Sequence, residues 1–271
     1  MNTSTISANK KLNLSYGLSI LIALLMAGVS TAGLVFQSSF YPTEALRGSF
    51  VSNDMVNLII GLPILLGSMW LARRDHLIGL LFWLGALFYI LYNYIAYAVA
   101  TSQMLAFCLY LGLVFLSVYT MFGLFLIVDL TAIQNRLIGT VPERLEGGVL
   151  VGLGTLFFVR GVAQVAGSVF GHAALARPDL AVQVADLITT PAWIVGGLLL
   201  WRRQAFGYAS GAGLLFQASM LFIGLLSYFI LQPFLAAMPF PLTDFVVIFV
   251  MGLVCFIPLV IFVRALLMKR K

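Results

Sequence analysis

Eight runs of predominantly apolar residues, at approximately 14–36, 51–72, 77–99, 104–128, 147–170, 181–201, 206–231 and 242–264, fill most of this 271-residue chain. An α-helix needs roughly 20 such residues to cross a bilayer, and inside lipid only a helix or a closed barrel satisfies its own backbone. The breaks between runs are short and polar, as in Tyr41-Pro42-Thr43-Glu44, Arg73-Arg74-Asp75-His76 and Ala176-Arg177-Pro178-Asp179. None is long enough for a domain outside the membrane. Charged residues are 9% of the chain against about 25% in soluble domains, so an ordinary wet surface is excluded. The predicted fold is all-α: a polytopic integral membrane protein of eight transmembrane helices, with the lipid bilayer as its first partner.

The net charge of +6 does not point to nucleic acid, because the basic residues are scattered through loops and the tail without forming a basic domain. Threaded through eight spans, twelve of them (Lys10, Lys11, Arg73, Arg74, Arg136, Arg144, Arg202, Arg203, Arg264, Lys269, Arg270, Lys271) fall on one side and only Arg47 and Arg177 on the other. The excess of positive charge on cytoplasmic loops then predicts both termini in the cytoplasm of a cell-membrane protein. The first run ends in a small-residue stretch, Ser30-Thr31-Ala32, but is too long for the apolar core of a signal peptide and is read as a retained helix.

The two halves resemble each other. Residues 51–74 align with 180–203, matching Leu58 with Leu187, Gly67 with Gly196 and Arg73-Arg74 with Arg202-Arg203. Gly85-Ala86-Leu87-Phe88 parallels Gly213-Leu214-Leu215-Phe216, and Gly123 parallels Gly252. Apolar helices also match by chance. The recurrence of nearly one offset across four helix pairs predicts a tandem four-plus-four repeat whose halves share orientation. The expected organisation is a tail (1–13), a first repeat (14–128), a linker (129–146), a second repeat (147–266) and a basic tail (267–271).

Against this apolar background stand Asp54, Arg160, Asp186 and Asp244. A charge at the centre of a spanning helix costs about 2.5 kcal/mol or more, so such residues mark pairing or function. Counting from helix ends places Asp54 and Asp244 near the outer surface and Arg160 deepest. Polar neighbours share their faces at helical spacing: Asp54 and Asn57; Tyr89, Asn93 and Tyr97; Arg160, Gln164 and Ser168; Gln183, Asp186 and Thr190. The cytoplasmic halves hold little beyond Ser19, Ser68, Thr155, Ser210 and Cys255. These patterns predict one outward-facing polar pocket formed by Asp54, Asn57, Asn93, Tyr97, Arg160, Gln164, Asp186 and Asp244. Three carboxylates against one guanidinium leave an imbalance that a proton, water or a bound cation must meet.

No zincin, Walker or nucleophile-elbow motif is present, and His76 and His172 fall on opposite sides, so no cofactor, metal site or catalytic residue is assigned. Cys108 and Cys255 read as buried apolar filler. The spacings Gly148/Gly152, Gly167/Gly171 and Gly207/Gly211 suit close helix packing, and Pro63 and Pro191 are expected to kink helices beside the pocket. Three functions fit: a transporter of a small molecule, linked to a proton or cation; an intramembrane protein or enzyme that binds a lipid or small-molecule ligand; or a structural subunit in which Arg160 pairs with Asp186 or Asp54. Oligomeric state is left open.

Overall fold

In a computed structural model the described residues are 3–170, 175–236 and 239–267, with side chains from Leu12 onward and up to Phe234 in the helix that ends the second of these stretches. Eight helices are long and apolar enough to cross a membrane, which makes this a multi-pass membrane protein. They are formed by α1 (Thr3–Val35), the pair α3 (Glu44–Val56) and α4 (Leu62–Arg73), α5 (Leu77–Ala100), α6 (Met104–Phe125), α8 (Glu143–Phe170), α9 (Arg177–Trp201), α10 (Ala205–Ala236) and α11 (Leu242–Leu267). Two short helices, α2 (Gln37–Phe40) and α7 (Leu130–Leu137), lie in the connections.

The apolar runs underestimate several helices at their polar starts. Thr43, in an extended conformation, caps α3 by accepting from the Leu46 amide at 3.3 Å; a threonine cap satisfies an amide that the first helical turn leaves orphaned. Helix therefore begins at Glu44, and Asp54 lies about 15 Å along it at 1.5 Å per residue, deeper than the apolar run implied. Between α3 and α4 the backbone widens into a π-helical segment, Asn57–Gly61, closed by the Leu62 amide on the Asn57 carbonyl. Pro63, two residues beyond, has no amide, and its ring crowds the carbonyl four residues back. The wider turn accommodates both, whereas Pro191 lies inside a continuous α9.

α5 is the core of the bundle: 83% of its apolar window is buried, against 17% for α8 and 22% for α11. It packs against α4, α6, α9 and α10, while α8 pairs with α9 and α11 leans on α10. α5 and α10 approach backbone to backbone at Gly85 and Gly213, where a Cβ on Gly85 would lie 2.8 Å from the Gly213 carbonyl oxygen. Gly147 and Gly197 bring α8 and α9 together in the same way. Of the glycines singled out by spacing, Gly207 packs tightly on Leu199 and Leu200, whereas Gly152 and Gly167 face open space, and Gly171 lies outside the described residues.

The α4–α5 and α9–α10 turns are built alike. His76 donates its amide to the Leu71 carbonyl at 3.1 Å, as Gln204 does to Leu199 at 2.8 Å. Asp75 donates to Ala72 at 3.1 Å, as Arg203 does to Leu200 at 2.9 Å. Asp75 and Arg203 both hold a left-handed φ, 60° and 58°, which L-residues adopt at a cost. Three residues past each turn, Gly79 and Gly207 let the next helix start directly against the preceding one.

Candidate functional site

The polar residues that the sequence placed in one pocket divide into two sites. The first is dry and centres on Asp54, 1% exposed. Tyr41, between α2 and α3, donates to Oδ2 at 2.6 Å, and Tyr97 of α5 donates to Oδ1 at 2.8 Å. Burial raises the Tyr41 phenol above its ordinary value, and the Asp54 carboxylate adds to the shift, so the hydroxyl stays a donor. Tyr94, Tyr97 and Tyr110 close around the carboxylate with ring centroids 5.2 to 5.6 Å apart. Phe50 stacks on Tyr41 and meets Tyr97 edge-on. Gly33 of α1 permits this approach, since a Cβ there would collide with the Asp54 carboxylate and lie 2.6 Å from the Tyr41 hydroxyl.

Asn57, fully buried, belongs to the same cluster. It accepts from Tyr89 at 2.9 Å and donates weakly to Ser30 at 3.5 Å. Asp54 and Asn57 thus bond to side chains of α1, of α5 and of the segment before α3, and interhelical hydrogen bonds of this kind hold membrane bundles together.

The second site is a cavity of about 400 Å³. It lies between α3 and α5 on one side and α8, α9 and α10 on the other, toward the ends of these helices away from the Arg73-Arg74 and Arg202-Arg203 turns. Arg160, Asp186 and Asn93 line it, together with Asp179 and Gln183, which flank Asp186 on α9, and Asn53. Tyr92 of α5 donates to Asp186 Oδ1 at 3.0 Å, and no described residue donates to Oδ2. Asn53 and Asn93 bond each other at 2.8 Å. Trp193, Tyr228 and Phe222 supply aromatic wall, with Trp193 fixed by its indole N–H on Gln217 at 2.6 Å.

Arg160 is exposed on α8 and forms no ion pair among the described residues. Among the described residues the ion pair is Arg203–Glu143, 3.6 Å, at the opposite end. Asp186 is 5% exposed and holds only the Tyr92 bond and its own helix contacts. Guanidinium and carboxylate thus line one cavity without neutralising each other by contact.

The remaining sequence-predicted residues lie elsewhere. Asp54, Asn57 and Tyr97 sit in the dry cluster, Gln164 is half-buried on α8 and does not line the cavity, and Asp244 is exposed in the first turn of α11. His172 lies outside the described residues, and Cys108 is exposed where burial was expected. Sequence reasoning missed Trp193, Asp179 and Asn53, and it missed a buried acidic pair. Glu143 and Glu146 belong to the first turn of α8, not to a loop. Glu143 accepts from Tyr208 at 2.6 Å, while both carboxylate oxygens of Glu146 are buried without a partner. Polarity is therefore less one-sided than the apolar runs suggest.

The fold and this cavity define a class: a multi-pass α-helical membrane protein with a polar cavity walled by five of its helices. Comparison with protein-family models, curated proteins and solved structures found no match.

Proposed function

We propose that the protein is a carrier that binds a small polar solute between two repeated halves, 14–128 and 147–266, which share orientation and leave both termini in the cytoplasm. The observation that carries this reading is the cavity itself. One wall comes from α3 and α5 of the first half, the other from α8, α9 and α10 of the second. Arg160 and Asp186 both line it without forming an ion pair. Secondary carriers place their sites at the interface between repeats, where rocking of one half against the other exposes the site alternately.

The repeat draws support from the two like turns and from the crossing of α5 and α10 at Gly85 and Gly213. These are equivalent positions in the aligned halves. A purely structural role describes the Asp54 cluster well, because both carboxylate oxygens are bonded to tyrosines. It does not describe Arg160, which has no partner to pin.

The test is accessibility. Leu225, on the α10 wall, is changed to Cys in a protein with Cys108→Ser and Cys255→Ala, and a membrane-impermeant maleimide is applied to sealed vesicles of each orientation. A carrier is labelled from both sides. Labelling from the non-cytoplasmic side alone overturns alternating access and leaves a one-sided binding site; labelling from neither side overturns the cavity.

A further inference from the structure

The cavity's chemistry narrows what it would hold, and this inference rests on the reading of the cavity as a binding site. Its lining holds polar groups of both kinds, with one buried acceptor left without a donor among the described residues. On the acceptor side stand Asp186 Oδ2, the Asp179 carboxylate, Asn53 Oδ1 and Gln183 Oε1, and the last is buried with no partner among the described residues. On the donor side, Arg160 contributes the cavity's sole cationic side chain. A buried acceptor such as Gln183 Oε1 is costly unless something supplies the missing proton, and an ammonium supplies three.

Tyr92 of α5 and Trp193 of α9 add aromatic rings to the lining on the two sides of the cavity, and aromatic rings attract cations. Arg160, a planar fork of donors, matches a carboxylate or phosphate. A volume of about 400 Å³ falls toward the small end of ligand cavities, about 300–1,000 Å³, and so suits a compact solute or head group more than a whole lipid. We infer that the cavity takes a small zwitterion, its ammonium toward Asp186 and its anionic group toward Arg160. Two formal carboxylates, Asp179 and Asp186, against one guanidinium leave one negative charge over. The amine end therefore contributes more than the anionic end.

A zwitterion of this size has two sources, a free amino acid-like solute or a phosphoethanolamine lipid head group. The experiment is calorimetric titration of the full-length protein in maltoside detergent with four probes: β-alanine, phosphoethanolamine, ethanolamine and acetate. The expected result is that at least one zwitterion binds tenfold or more tighter than ethanolamine, and that ethanolamine binds tighter than acetate. Asp186→Asn removes the advantage of the zwitterion over acetate, and Arg160→Gln removes its advantage over ethanolamine. Binding of both zwitterions assigns a free solute. Binding of phosphoethanolamine alone, competed by nanodiscs containing phosphatidylethanolamine, assigns the head group.

Equal binding of acetate and the zwitterions, or no binding of any probe, overturns the inference on the unmodified protein alone, whether or not the variants fold. A zwitterion preference that survives both substitutions overturns the assignment of its ends. Maleimide labelling of Leu225→Cys is independent of these probes, so labelled protein that ignores all four removes the ligand class and leaves the carrier reading standing.

Discussion

The hydroxyl of Tyr92 on α5 donates to Asp186 Oδ1 on α9 at 3.0 Å, across two helices that line the cavity. It holds the carboxylate by one oxygen and leaves the other free. A site that must both keep its shape and accept a ligand needs this division, because a positioning bond preorganises the group without consuming it.

Tyr92→Phe deletes that bond while keeping the ring. Hydrogen bonds in membrane bundles contribute modestly, so the expected loss of stability is about 0.6–1.5 kcal/mol. Thermal unfolding in detergent measures it, and amine binding in the same sample should weaken in parallel. A drop in stability with unchanged amine affinity would show that Tyr92 does not position Asp186.

Asp54→Ala should be far more damaging than Arg160→Ala. Removing the Asp54 carboxylate strands two buried phenol donors, Tyr41 and Tyr97, at about 1–3 kcal/mol each for a buried group left unsatisfied. Arg160 is exposed and unpaired, so its loss should stay within about 0.5 kcal/mol, as for surface changes in general. Comparing the two melting temperatures checks the order; the reverse order would make Arg160 a structural group.

Gly33→Ala tests the geometry of the dry cluster. The added methyl meets the Asp54 carboxylate and the Tyr41 hydroxyl, and overpacking of this kind costs about 1–3 kcal/mol. Gly28→Ala on the same helix, where a Cβ meets nothing within 4 Å, is the control. It should be neutral or slightly stabilising, since alanine favours helix by about 1 kcal/mol.

Gly85→Ala should destabilise by about 1–3 kcal/mol and more than Gly213→Ala, because a Cβ on Gly85 would lie 2.8 Å from the Gly213 carbonyl whereas one on Gly213 would lie 3.1 Å from the Gly85 amide. Thermal unfolding measures both losses; a Gly85→Ala protein as stable as the parent would contradict the close approach of α5 and α10.

The eight spans were legible because the bilayer imposes length and hydropathy, and an irregularity near Pro63 because proline lacks an amide. The depth of Asp54 was not. Glu44, Arg47 and Ser49 read as loop, yet they form helix behind the Thr43 cap. Spacing along each helix correctly put Asn57 beside Asp54, and Gln183 beside Asp186. It carried no information on which helices face each other, so two sites merged into one. Asp244 was grouped by depth alone, and depth does not distinguish the bundle interior from its exposed face. Trp193 and Glu146 were invisible for a related reason: one looked like apolar wall and the other like loop until the α8–α9 packing was known.

The central claim is that Arg160 and Asp186 line a shared cavity and do not neutralise each other. A double-mutant cycle on stability, with Arg160→Gln, Asp186→Asn and the pair, measures this most directly. On that claim, opposite charges attracting across the cavity without contact should couple by less than about 1 kcal/mol. A coupling of about 1–3 kcal/mol, the range for contacting partners, would mean that the two side chains form an ion pair and would contradict it.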